Sequence, residues 1–255
     1  MKKLLGYLAA TLITLLLWAA LALILRSPAL PAPQTALATF FRDIPAMLPD
    51  VATSLMRLAV AIAAGTALAL PLGVAVGRSP KLDVIFTPLS YLLYPVPKVV
   101  FLPVLLVLLG LGDAPKIVLI GAVIFFQTLV TTRDAAHNID PALIDTIRAL
   151  GTTRIQKVRL VILPSVLPDL FTALRINVGT SIAILFLAES IANTSGIGGW
   201  ISNAWGMLDY SSMFAGIIAM ALLGVALYEA VALAERLLVR WKYAGRQASG
   251  SLADS

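Results

Sequence analysis

Asp140-Pro-Ala-Leu-Ile-Asp-Thr-Ile-Arg-Ala-Leu-Gly151, then nine residues, then Val161-Ile-Leu-Pro164, is the stretch of this chain whose internal order says most. Asp140 offers a side-chain acceptor to free backbone N–H groups, and Pro141 has the fixed φ that suits a first helical position. Leu143, Ile144, Ile147 and Leu150 recur at helical spacing, and Gly151 can take the left-handed conformation that ends a helix. About ten residues make a marginal helix in water, so the apolar stripe has to dock, on the ends of neighbouring helices or in a partner's groove. Thr152 or Thr153 can cap a second short helix from Arg154 to about Ile162, with Arg154, Lys157 and Arg159 outward. Pro164 is expected to break the ladder there.

Working outward, the stretch is an island in apolar sequence. The 255 residues are 60% hydrophobic and 13% charged, and the mean hydropathy is +0.95; a water-soluble globule does not carry these values. A helix crossing hydrocarbon needs roughly 20 apolar residues, and six runs qualify: Leu4–Leu25, Ser54–Val76, Thr87–Leu109, Lys116–Thr131, Leu167–Ile191 and Ser212–Leu237. The first follows Met1-Lys2-Lys3 but exceeds a signal peptide's apolar region of about 7 to 15 residues, so it reads as an uncleaved anchor. The third carries Pro88, Pro95, Pro97 and Pro103. The expected fold is an all-α polytopic membrane protein with six transmembrane helices.

Basic loops stay on the cytoplasmic side. With the N-terminus inside, the inner segments hold Lys2, Lys3, Arg78, Lys81, Arg133, Arg148, Arg154, Lys157, Arg159, Arg236, Arg240, Lys242 and Arg246, against only Arg26, Arg42 and Lys116 outside. Both termini are therefore expected in the cytoplasm, together with a short helix pair between the fourth and fifth spans. The 190–211 segment, without Lys or Arg, belongs outside. Its Gly196-Ile-Gly-Gly199 lacks the Lys of a phosphate-binding loop and reads as a turn or gate. The net charge of +6 sits at the ends of apolar runs, which argues for topology and against nucleic acid.

At this point a resemblance becomes specific. Gly151, nine residues and a tetrad ending in Pro164 resemble the coupling loop of ATP-binding cassette (ABC) importer permeases, the binding-protein-dependent transport family. Asp145 stands where that family has Glu, Thr146 and Ile147 where it has two Ala, and Val161, Leu163 and Pro164 fall in the tetrad. Asp134-Ala135-Ala136 looks closer in letters but lacks the Gly and has the wrong spacing to Pro164. Pro95-Val-Pro97-Lys98, Leu102-Pro103, Leu109-Gly-Leu-Gly112, Leu163-Pro164, Leu167-Pro168, Ala188-Glu189 and Gly196–Gly199 are similar to the nitrate, sulfonate and taurine branch. The organisation this implies is a span and outer loop over 1–50, the importer transmembrane domain over 51–241 with its coupling loop at 133–163, and a polar cytoplasmic tail over 242–255.

The resemblance implies a multi-pass permease of the bacterial inner membrane. Its partners would be two copies of a separate ATPase, an extracytoplasmic solute-binding protein and a second permease copy. The cargo would be a small solute, an oxyanion such as nitrate, sulfonate or taurine. Leu143, Ile147 and Leu150 would supply the docked face, Asp145 an acidic contact, Gly151 the turn, and Leu163 and Pro164 the re-entry. Charges inside spans are candidate functional sites, which singles out Lys98, Arg175 and Glu189 for the solute path or gate. The chain has no ATP-binding loop of its own, no cysteine and one histidine, His137, so no enzyme activity, metal site or cofactor is expected. The alternative is a secondary transporter or channel for small anions, which would show internal repeats or paired interrupted spans; no duplication relates the two halves.

Overall fold

The computed structural model describes residues 2–93, 95–192 and 195–241; the tail expected at 242–255 lies outside the described residues. Among these the chain is all helical, with no strand. Ten α-helices follow in order: α1 Lys2–Leu25, α2 Pro33–Gly77, α3 Pro80–Leu93, α4 Leu102–Leu109, α5 Asp113–His137, α6 Pro141–Ala149, α7 Arg154–Lys157, α8 Leu163–Ala192, α9 Ile197–Gly206 and α10 Tyr210–Leu238. Four continuous helices are long and apolar enough to cross a membrane: Pro33–Gly77, Asp113–His137, Arg154–Ala192 and Tyr210–Leu238. The pair Pro80–Leu93 and Lys98–Leu109 together passes the same test. The apolar part of α1, Ala9–Leu25, is shorter.

Three elements depart from expectation. The stretch assigned to an outer loop is helical from Pro33 and continuous with the second span, so α2 has 45 residues and runs about 67 Å at 1.5 Å per residue. The third span is two helices bent by 80°. Pro95 and Pro97 supply no donor where α3 ends, a 3₁₀ turn at Lys98–Phe101 follows, and Pro103 then falls in the first turn of α4, where its missing N–H costs nothing. Pro164 does not break the backbone. Helix runs unbroken from Arg154 to Ala192, because Val158–Ile162 widens into a π turn in which the Leu163 N–H reaches back to the Val158 carbonyl. A π turn re-registers a helix beside a residue that cannot donate.

The chain divides into two compact units, Met1–Met56 with Phe186–Leu223, and Arg57–Leu185 with Gly224–Ser255. In the second unit a seam of small residues, Ala61, Gly65, Ala69, Gly73 and Gly77, recurs every four positions on α2 and lies against α5. A Cβ on Gly65 would come 2.8 Å from the Gly121 carbonyl oxygen, and one on Gly73 would strike the Thr132 hydroxyl and lie 2.9 Å from the Leu129 carbonyl oxygen. Small residues let membrane helices approach this closely, and dispersion then replaces the hydrophobic effect that lipid cannot provide. The contacts rise together in number along both helices, so α2 and α5 run parallel. In the first unit Trp18 of α1 stacks on Phe214 of α10 at 5.3 Å and donates its indole N–H to the Pro31 carbonyl at 3.1 Å. Asp209 opens α10 by accepting the Ser212 N–H at 3.0 Å, and that bond holds its carboxyl below the usual range. Its contribution is complete above the ordinary carboxylate pKa and is lost as pH falls through the lowered value.

Gly73→Ala should lower the stability of the detergent-purified protein by about 1–3 kcal/mol, the usual cost of overpacking. Gly179→Ala, where an added Cβ has nothing within 4 Å, should leave thermal unfolding unchanged or raise it.

Candidate functional site

The segment from Asp140 to Gln156 folds as its sequence directs. The Asp140 carboxylate accepts the Ala142 N–H at 2.8 Å, α6 follows over Pro141–Ala149, and Gly151 has φ +72°. Thr152 donates its hydroxyl to the Ile147 carbonyl at 2.9 Å, one of the carbonyls that a helix end leaves open. Thr153 and Gln156 form a reciprocal capping box on α7. Between Gly151 and Arg154 the backbone is thus fixed on both sides of the turn.

The faces of α6 separate cleanly. Ile144 is buried with Ala136, Ile139, Val161, Ile162 and Val166, and Ile147 packs against that cluster, as do Leu70 and Val74 of α2. Leu143 is half exposed, Leu150 is 76% exposed, and Ile155 on α7 is 79% exposed. The three residues expected to share one docked face therefore divide: Ile147 is held by the protein itself, while Leu143 and Leu150 are turned away from it. Asp145 is exposed and pairs with Arg148 at 3.1 Å. Leu163 and Pro164 are half-buried at the π turn. Leu143, Ile147, Leu160, Val161, Pro164, Pro168 and Trp241 border a groove of about 480 Å³.

The three charges expected in a solute path or gate occupy different surroundings. The Lys98 ammonium donates to the Leu93 carbonyl at 2.9 Å and lies 5.2 Å from the centre of the Phe126 ring, so it serves the helix end that Pro95 and Pro97 leave open. Arg175 is paired with Glu235 of α10 at 2.8 Å, and Glu235 is only 1% exposed. Glu189 is fully buried and accepts from the Ser54 hydroxyl at 2.9 Å and from the Gly198 N–H at 2.8 Å. Gly196 alone carries the turn, at φ +98°; Gly198 and Gly199, expected in a turn, are buried in the first turn of α9. Gly198 packs so closely that a Cβ would come 2.9 Å from the Phe186 carbonyl oxygen.

A profile of binding-protein-dependent transport system inner membrane components matches residues 65–240. The chain belongs to that family. The taurine transport system permease protein TauC of Escherichia coli K12 is 32% identical over 191 residues, 75% of this chain and 70% of TauC. The nitrate import permease protein NrtB of Synechocystis is 25% identical over 190 residues, 74% of this chain and 69% of NrtB. The riboflavin transport system permease protein RibX of Chloroflexus aurantiacus is 31% identical over 147 residues, 58% of this chain and 55% of RibX. A chain of the inward-facing MetNI methionine ABC transporter superposes with a TM-score of 0.58 at 21% identity, over 77% of this chain and 97% of that one, which shows the fold.

The protein is thus a permease subunit of an ABC importer, multi-pass in the inner membrane, working with a separate ATPase and a substrate-binding protein. The secondary-transporter reading falls away with this membership. Several of the permease's polar partners were not singled out in the sequence. Asp113 receives Arg57, itself 1% exposed, at 2.6 Å, and both lie at the same end of the parallel pair α2 and α5. Glu235 and Ser54 were also missed; Glu235, a charge inside an apolar span, carried the usual signal of a functional or paired group, whereas a lone Ser54 carried none. A cleft of about 530 Å³ between α5 and α8 is bordered by Asp134, Asp140 and Asp169, the wrong sign for holding an anion.

Arg175→Leu should destabilise the permease by about 3 kcal/mol, since it strips an ion pair from a buried carboxylate. Adding Glu235→Leu to the same chain should recover most of the loss in thermal unfolding.

Proposed function

We propose that this permease imports a small oxyanion-type solute, such as nitrate, a sulfonate or taurine, and that α6 is the element through which the separate ATPase drives it. The observation carrying the coupling role is the division of α6 into two faces. Ile144 and Ile147 tie it to the membrane helices, while Leu143 and Leu150 stay exposed on a water-facing element, where unpartnered apolar side chains mark a docking surface. A helix capped at Asp140, stopped at Gly151 and packed along one side moves as a rigid body, so a shift of the ATPase groove passes to α5 and α8. Asp145 adds an acidic contact; Leu163 and Pro164 carry the motion into α8 through the π turn.

The Lys and Arg count supports six spans with both termini in the cytoplasm, and this places 133–163 on the ATPase side. On this reading 1–50 is an accessory span with its outer segment, 51–241 the transport domain and 242–255 a cytoplasmic tail. Two permease copies pair with two ATPase subunits, and the chain has no catalytic site of its own. The oxyanion class follows the taurine and nitrate permeases among the relatives. Within the spans, Lys98 is the better candidate for the solute path, since it stands at a broken span of the kind that marks transport sites. Arg175 is committed to Glu235, and Glu189 belongs to the outer gate.

Gly151→Trp places a bulky side chain at φ +72° and should abolish both transport and stimulated ATP hydrolysis while membrane insertion remains normal. Leu150→Asp should reduce co-purification of the ATPase with the permease; undiminished complex in both variants would remove the coupling role. Binding measurements with nitrate, taurine and an alkanesulfonate on the partner binding protein test the cargo.

A further inference from the structure

We infer that Asp50, Ser54 and Glu189 form a latch on the N-terminus of α9, and that the latch sets the resting state of the outer gate. The inference rests on assigning Glu189 to that gate. Three consecutive amides open α9, and each is taken by a side chain from another helix. The Gly196 N–H goes to the Asp50 carboxylate at 2.7 Å, the Ile197 N–H to the Ser54 hydroxyl at 2.9 Å, and the Gly198 N–H to Glu189 at 2.8 Å. Ser54 donates its own hydroxyl hydrogen bond to Glu189 at 2.9 Å, so the hydroxyl bridges α2, α8 and α9. Ser54 and Glu189 are both fully buried.

The geometry excludes a loose fit. A Cβ on Gly196 would run into the Glu189 carboxylate, and Ser190 donates to the Gly198 carbonyl at 3.2 Å. Asp50 and Ser54 are four residues apart on one face of α2, so separation of that face from the last turns of α8 has to break the Ser54–Glu189 contact and strand at least one α9 amide. A buried carboxylate at a helix N-terminus gains from the aligned peptide dipoles as well as from the direct bonds. In low dielectric such contacts are strong when made and costly when half made, which gives the gate two states and no stable intermediate. A change confined to the latch therefore shifts the balance toward the open state, and the ATPase feels that shift through the same equilibrium.

The test uses the permease assembled with its ATPase in liposomes. Ser54→Ala removes one hydrogen bond to a charged group and should raise ATP hydrolysis in the absence of binding protein about tenfold, at normal membrane levels. Ser54→Thr keeps the hydroxyl and should stay near wild type. Unchanged unstimulated hydrolysis in Ser54→Ala, or a Ser54→Thr protein that behaves like Ser54→Ala, overturns the latch. The chain has no cysteine, so Asp50→Cys with Ser195→Cys, both bordering the same cleft beside Gly196, can be bridged with a reducible reagent. Unbridged, this pair lacks the Asp50 contact and should hydrolyse ATP rapidly without binding protein; bridged, it should stop transport until reduced. Transport through fully bridged permease removes the gate reading itself. Blocked transport on bridging, combined with normal unstimulated hydrolysis in Ser54→Ala, removes the latch alone.

Discussion

Hydrocarbon offers no hydrogen-bond partner, so each interruption of a membrane helix has to be closed by the chain itself. Most of the permease's notable side chains are where they are for this reason. Pro95 and Pro97 end α3, and the Leu93 carbonyl there is shared by the Val96 N–H and the Lys98 ammonium. Pro164 removes a donor, and a π turn moves the ladder along by one residue. The same closure is made outside the spans, where Gly151 stops α6 and Thr152 returns to the Ile147 carbonyl. The first amides of α9 are met by Asp50, Ser54 and Glu189. Breaks in the regular helices and candidate functional residues coincide because the same polar groups serve both.

Charge follows a parallel rule. A bare cation in a span is expensive, and three arginines of the described spans are matched to carboxylates: Arg57 to Asp113, Arg133 to Asp83 and Asp134, Arg175 to Glu235. Such pairs gain little net stability over a well-packed apolar alternative but are destructive to break singly. They consequently act as registration points between helices rather than as loose binding charges. Lys98 sits differently, at the break of the third span, where its ammonium donates to the Leu93 carbonyl.

On the proposed mechanism, motion enters at elements that are rigid within themselves and anchored on one side. α6 is capped at its start, stopped by a left-handed glycine at its end and packed through Ile144. α9 is pinned at its N-terminus and finished by a residue with positive φ, Leu208 at 60°. Each can respond to a partner only by tilting or releasing as a unit, because its own backbone bonds are complete. The close seam of α2 and α5, by contrast, has no space for a side chain at Gly65 or Gly73, and so holds these two helices in one register.

By itself the sequence determined that the chain is a membrane protein, where most of its apolar helices run, and the local design of 140–156. These depend on hydropathy summed over about 20 residues and on capping chemistry within a few positions, both of which are local. It also carried the family through Gly151 and Pro164. What the sequence left open was decided by contacts across large separations. Whether Ile147 faces the protein or a partner depended on the buried cluster of Ala136, Ile139, Val161, Ile162 and Val166; whether Arg175 is available depended on Glu235, 60 residues on. The significance of Ser54 rested wholly on Glu189 and Ile197 arriving beside it. The local rule that denies Pro164 a donor cannot foresee the π turn before it, and the polar residues of 33–53 hide a helix that runs on into the second span. A side chain's type is written in the sequence, but its partner is fixed only when the helices pack.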